Sequence, residues 1–137
     1  MIDIITFRPE GSSCQAMEFE VELARKEVDE LTGALRVGFT VEKPVNGELS
    51  IEIPSDFEKR LKGEFRGQVF VTKDKPESVG SSDLLMLATV YESDGKKVLK
   101  ASAYGLLVLL RLKKPLNDLA EFSRGDEVYV CARGLFV

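Results

Sequence analysis

Glu18-Phe19-Glu20-Val21-Glu22-Leu23-Ala24 alternates charged and apolar residues without a break. A period of two sends successive side chains to opposite faces of a β-strand, one face buried and the other wet. The pattern returns at Ala34-Leu35-Arg36-Val37-Gly38-Phe39-Thr40-Val41-Glu42 and again at Leu49-Ser50-Ile51-Glu52-Ile53. Pro44 and the pair Asn46-Gly47 separate the last two, and Asn-Gly is among the strongest signals for a tight turn between antiparallel strands. The first half is therefore expected to hold at least three antiparallel strands. Phe19, Val21, Leu23, Leu35, Val37, Phe39, Val41, Leu49, Ile51 and Ile53 would face the core. Ile2–Phe7 is a candidate for one strand more.

Beyond these strands, Pro54–Leu61 reads as a short helix, started by Ser55 or Asp56 and ended by Gly63. Gln68–Lys73 reads as a strand. Asp74–Ser82 is a polar loop with Pro76 and Gly80, expected to be the most mobile internal segment. The character then changes. Leu84–Glu92 is apolar on both faces, Ser93-Asp94-Gly95 makes a tight turn, and Lys96–Tyr104 returns. Leu106–Leu112 is nearly all aliphatic, and its short length and the bounding Gly105 favour strand over helix. A linker with Lys113-Lys114-Pro115 and Arg124-Gly125 leads to a closing strand, Val128–Ala132. Six to eight strands with short turns and one or two short helices indicate an all-β barrel or sandwich, a single domain over residues 1–137. Late strands that are apolar on both sides need both faces covered. The barrel's own loops or another protein would serve, and the pattern weighs the two equally.

The inventory of side chains narrows the chemistry. The chain contains no histidine, which removes the commonest general base and the commonest zinc ligand. Cys14 and Cys131 are far apart and neither belongs to a C-x-x-C pair, so Cys131 is expected to pack as a small hydrophobe. Glu18, Glu20 and Glu22 form a carboxylate row on one strand face, a pattern that can hold a divalent cation or supply an acid–base pair. With no second ligand group at a recognisable spacing, the row reads as a solvated face. Ser12-Ser13 and Ser81-Ser82 are turn residues, and Gly63, Gly67 and Gly80 are too scattered to cradle a phosphate. No catalytic residue, metal, cofactor or small-molecule substrate is expected. No apolar run reaches the roughly 20 residues of a membrane helix. Met1-Ile2-Asp3-Ile4-Ile5 lacks the basic start of a signal peptide, so a cytoplasmic location is expected.

Charge is unevenly spread. The net charge is −4, with 9 basic and 14 acidic side chains in residues 1–68 and 10 basic and 9 acidic in residues 69–137. A free-standing nucleic-acid binder usually carries a basic excess. Lys96, Lys97, Lys100, Arg111, Lys113, Lys114, Arg124 and Arg133 would make a local basic face if they converged at one end of a barrel. With Tyr104 and Tyr129 they would form a stacking platform for single strands. The plainer reading is that lysines on hairpin tips and edges guard against aggregation.

Lys100-Ala101-Ser102-Ala103-Tyr104-Gly105-Leu106-Leu107-Val108-Leu109-Leu110-Arg111-Leu112 resembles the strand-turn-strand of subunit 8 of DNA-directed RNA polymerase. That family shows a serine, a tyrosine-glycine and a leucine pair followed by an aliphatic run and a basic residue. Asp126–Arg133 looks like the family's final strand, and Thr89-Val90-Tyr91 also fits. The single glycine after the tyrosine is closer to the archaeal form of this subunit than to the eukaryotic one. The resemblance covers residues 83–137 and implies an eight-stranded antiparallel barrel related to the OB-fold. It also implies a non-catalytic subunit that docks on the largest polymerase subunit and supports assembly in transcription. Nucleic acid would then be met only through the complex, or weakly. On this reading Tyr104, Gly105, Leu106, Leu107, Arg111, Tyr129 and Arg133 are the expected partner contacts. The alternative is a free-standing OB-type protein that binds single-stranded nucleic acid.

Overall fold

The computed structural model describes residues 16–137, and the expected strand at Ile2–Phe7 lies outside them, as does Cys14. Eight strands form a closed antiparallel barrel: β1 (Ala16–Val28), β2 (Ala34–Lys43), β3 (Gly47–Pro54), β4 (Arg66–Thr72), β5 (Leu84–Ser93), β6 (Val98–Ala103), β7 (Leu106–Leu112) and β8 (Glu127–Ala132). Around the barrel the order is β1-β2-β3-β7-β6-β5-β8-β4, with β4 pairing back onto β1. The alternation read in β1, β2 and β3 sets the inside. Nine of the ten expected core residues there are buried, and Leu23 is half-buried where β1 leaves the barrel. Each such aromatic or aliphatic side chain contributes about 1.5–3 kcal/mol by leaving water.

The short helix is a 3₁₀ turn over Ser55–Arg60, and a second one, over Asn117–Glu121, lies in the linker before β8. The loop between β4 and β5 is tied down at several points. Pro76 is buried. Arg133 donates to the Ser78 carbonyl at 2.8 Å and Arg60 to the Ser81 carbonyl at 2.6 Å. Asp83 accepts the amides of Gly134 at 2.7 Å and Gly80 at 2.9 Å. The loop offers backbone groups, and the anchoring side chains are Arg60, Arg133 and, at its end, Asp83. Phe70 and Cys131 point outward from β4 and β8 yet are buried, with the Arg133 guanidinium 6.0 Å from the Phe70 ring centre. After β8 the chain folds back on the first 3₁₀ turn. Leu135 and Phe136 are buried, Phe136 stacks on Phe57 at 5.3 Å, and the Val137 amide donates to the Arg60 carbonyl at 2.7 Å.

The turn between β5 and β6 shows how a charged residue shapes an end of the barrel. Asp94 Oδ1 accepts three backbone amides, those of Lys96 and Lys97 at 2.8 Å and of Val98 at 3.0 Å. These bonds, the one from Val98 first, favour the ionised form and pull the carboxyl from its ordinary 3.8 down to about 2. A depressed folded-state pKa contributes stability that is full above the unfolded value, near 4, and is lost as pH falls through about 2. The melting-temperature gap between wild type and Asp94→Ala should therefore be widest at pH 5 and close progressively towards pH 2. A gap that stayed constant over that range would remove the carboxylate's charge from the account of this turn.

Candidate functional site

The β6–β7 connection has only two residues, Tyr104 and Gly105, both with positive φ, 53° and 86°. Positive φ at both central positions defines the type I′ hairpin turn, whose twist matches that of the flanking strands. Glycine takes this conformation freely, whereas tyrosine does so at a steric cost. The Tyr104 side chain is also fully exposed, at 104% of its reference area, so packing in the barrel does not offset that cost. Tyr104 stands beside a cleft of about 500 Å³ whose walls include Leu85, Leu87, Ser102, Leu106 and Glu127. Leu87 is 45% exposed and pairs in register with Tyr129 across β5 and β8. Tyr104 and Leu106 thus border one cleft at one end of the barrel, Leu106 while also packing against the core; Gly105 adjoins them in the turn, and Tyr129 enters only as the cross-strand neighbour of Leu87.

The other expected contacts are elsewhere. Leu107 and Arg111 line a second cleft, of about 270 Å³, over the outward faces of β2, β3 and β7. Glu52 lies in the wall of this cleft and is itself buried. It accepts the Leu107 amide through Oε1 and the Arg36 guanidinium through Oε2, each at 3.0 Å. Arg133 is tied into the β4–β5 loop, with its guanidinium 3.7 Å from the Asp83 carboxylate. The basic residues divide in the same way. Lys100 is 3.5 Å from Glu92. Lys96, Lys97, Arg111, Lys113 and Lys114 gather at the barrel end opposite Tyr104, and the stacking platform of lysines with Tyr104 is not assembled.

The carboxylate row of β1 points outward as expected, its members spaced roughly 6.7 Å apart along the strand. Glu18 accepts from Gln68 at 2.7 Å, Glu22 pairs with Arg66 at 3.0 Å, and Glu20 is exposed. Among the described residues no group of three His, Cys, Asp or Glu side chains is placed to hold a metal ion. No described helix is long and apolar enough to cross a membrane.

The outward leucines Leu85 and Leu87 were not singled out by sequence. Their alternation with Leu84 and Met86 is hidden because both faces of β5 carry apolar side chains. In comparisons with known proteins, no family model matches the chain and no curated protein matches it.

Proposed function

We propose that the chain is a non-catalytic small subunit of an archaeal-type DNA-dependent RNA polymerase. In this reading it is a cytoplasmic protein that docks on the largest subunit and stabilises the assembly. The resemblance of residues 83–137 suggests the family, and the observation that carries the docking role is Tyr104. A tyrosine held at positive φ and fully exposed costs the isolated barrel free energy. A partner surface that receives the ring makes that arrangement useful. Exposed aromatics of this kind, beside apolar neighbours such as Leu87 and Leu106, are what binding hot spots are made of. A specific interface would cover on the order of 800 Å² of the chain.

Co-expression with the largest polymerase subunit tests this. The wild-type chain should co-purify at moderate salt. Tyr104→Asn, which suits a type I′ turn, should melt no lower than wild type yet bind about 30-fold more weakly, the loss expected at a hot spot of about 2 kcal/mol. Failure of the wild type to co-purify would remove the reading. Unchanged binding by Tyr104→Asn would move the docking face away from this turn.

A further inference from the structure

Opposite Tyr104, three chain segments are joined backbone to backbone into one rim. The Lys113 amide donates to the Asn46 carbonyl at 2.8 Å, the Leu112 amide to Lys97 at 2.8 Å, and the Leu116 amide to Lys96 at 2.9 Å. The rim carries Lys43, Lys96, Lys97, Lys113 and Lys114, all exposed. None of the five has a carboxylate oxygen within 4.0 Å among the described residues; Lys26, Lys59, Lys62 and Lys75 share that state, so what sets the five apart is their convergence on one frame. Segments 42–48, 94–98 and 111–118 carry six basic and four acidic side chains, a local excess of two positive charges. Asp94 is turned onto the amides of its own turn, and Glu42 lies 3.9 Å from Arg66. Glu48 stands opposite Arg111 in the β3–β7 register, and Asp118 lies in the first turn of the second 3₁₀ element. A chain with a net charge of −4 thus presents a cluster of unpaired ammonium groups on a braced frame.

We propose that this rim is a sequence-independent contact for the phosphate backbone of a nucleic acid. An ammonium group is a compact point charge that accepts a phosphate from many directions. Several of them side by side gain affinity when a polyanion's condensed counterions are released. Segments 42–48, 94–98 and 111–118 contain no aromatic residue, so neither base stacking nor base preference is built in. A protein partner is the less suitable occupant, because stable protein interfaces centre on a desolvated apolar core, and most of the exposed side chains here are charged. The contact reaches beyond the docking reading and does not depend on it. The two surfaces are at opposite ends of the barrel, which leaves the rim open when Tyr104 is covered.

The isolated chain suffices for the test, with fluorescence anisotropy of a mixed-sequence 12-mer, single-stranded and duplex, titrated between 25 and 200 mM KCl. Binding should be in the micromolar range or weaker, similar for different sequences. The log–log salt slope for single strands should be about −3 if four lysines engage phosphates. The quadruple variant Lys96→Ser, Lys97→Ser, Lys113→Ser, Lys114→Ser should lose at least tenfold affinity at 50 mM KCl with an unchanged melting temperature. The matched variant Lys26→Ser, Lys59→Ser, Lys62→Ser, Lys75→Ser and the single variant Tyr104→Asn should each bind like wild type. A flat salt response, equal losses in both quadruple variants, or displacement by poly-glutamate at the same charge concentration as by DNA would each overturn the proposal. The last result would assign the rim to an acidic protein. Since no polymerase subunit is present, none of these outcomes bears on the docking of Tyr104.

Discussion

Gly47→Ala is expected to lower the melting temperature by about 10 °C or more. Gly47 is buried at the start of β3, where β7 passes directly over it. A Cβ there would fall 2.8 Å from the Leu112 Cα and would press on the Arg111 carbonyl oxygen. Both are backbone atoms, so no rotamer change relieves the clash. The only relief is to part β3 from β7, whose ladder runs from Gly47–Leu112 to Ile51–Val108. Overpacking of this severity costs about 3 kcal/mol, and in a domain of this size each kcal/mol shifts the transition by roughly 3–4 °C. Gly63→Ala is the matched control, since a Cβ there meets nothing within 4 Å, and it should leave the transition nearly unmoved. A Gly47→Ala protein melting within 2 °C of wild type would mean that the β3–β7 approach is looser than described.

Glu52→Ala should cost about 2–3 kcal/mol, for a reason that a matched glutamine variant can isolate. The β3–β7 ladder stops at Ile51–Val108, and one residue further the Leu107 amide finds the Glu52 carboxylate in place of a backbone carbonyl. Removing the side chain strands that amide and leaves Arg36 with only its longer contacts to Glu27 at 3.5 Å and Asp29 at 3.6 Å. The guanidinium is 37% exposed, so its share is modest after solvent screening. Glu52→Gln retains an acceptor for the amide and should recover more than half of the loss in chemical denaturation. If glutamine proves as damaging as alanine, the ion pair with Arg36 dominates and the amide is a minor partner.

Glu52 also shows where sequence reading stops. It sits in an unbroken alternation between Ile51 and Ile53, so pattern alone makes it a solvated residue. It is buried because β7, more than fifty residues later, lies against β3, and no local signal states that neighbour relation. Strand existence was legible because it depends on local periodicity. Sheet order was not, since the insertion of β8 between β5 and β4 is settled by packing of the whole chain. The expected contacts divide along the same line. Tyr104 and Gly105 are governed by a two-residue turn and are placed by local sequence. Arg133 was expected at a partner contact, and its anchors, Ser78 and Asp83, lie some fifty residues upstream. Lysines on adjacent turns converge because those turns share backbone hydrogen bonds, which composition does not reveal.

The position of β8 has a consequence for synthesis. The strand that closes the barrel is also the last to be made, after both of its neighbours, β4 and β5. A nascent chain that has emerged as far as Leu112 already has seven strands' worth of sequence, but two open edges face each other across a missing plank. Unpaired edges invite pairing with other chains, and closure by a strand so distant from β4 is a slow, non-local event. The interval between the emergence of β7 and of β8 is therefore when this protein is most exposed to misassembly. A translational pause there would prolong the hazard, whereas a pause after β8 would not.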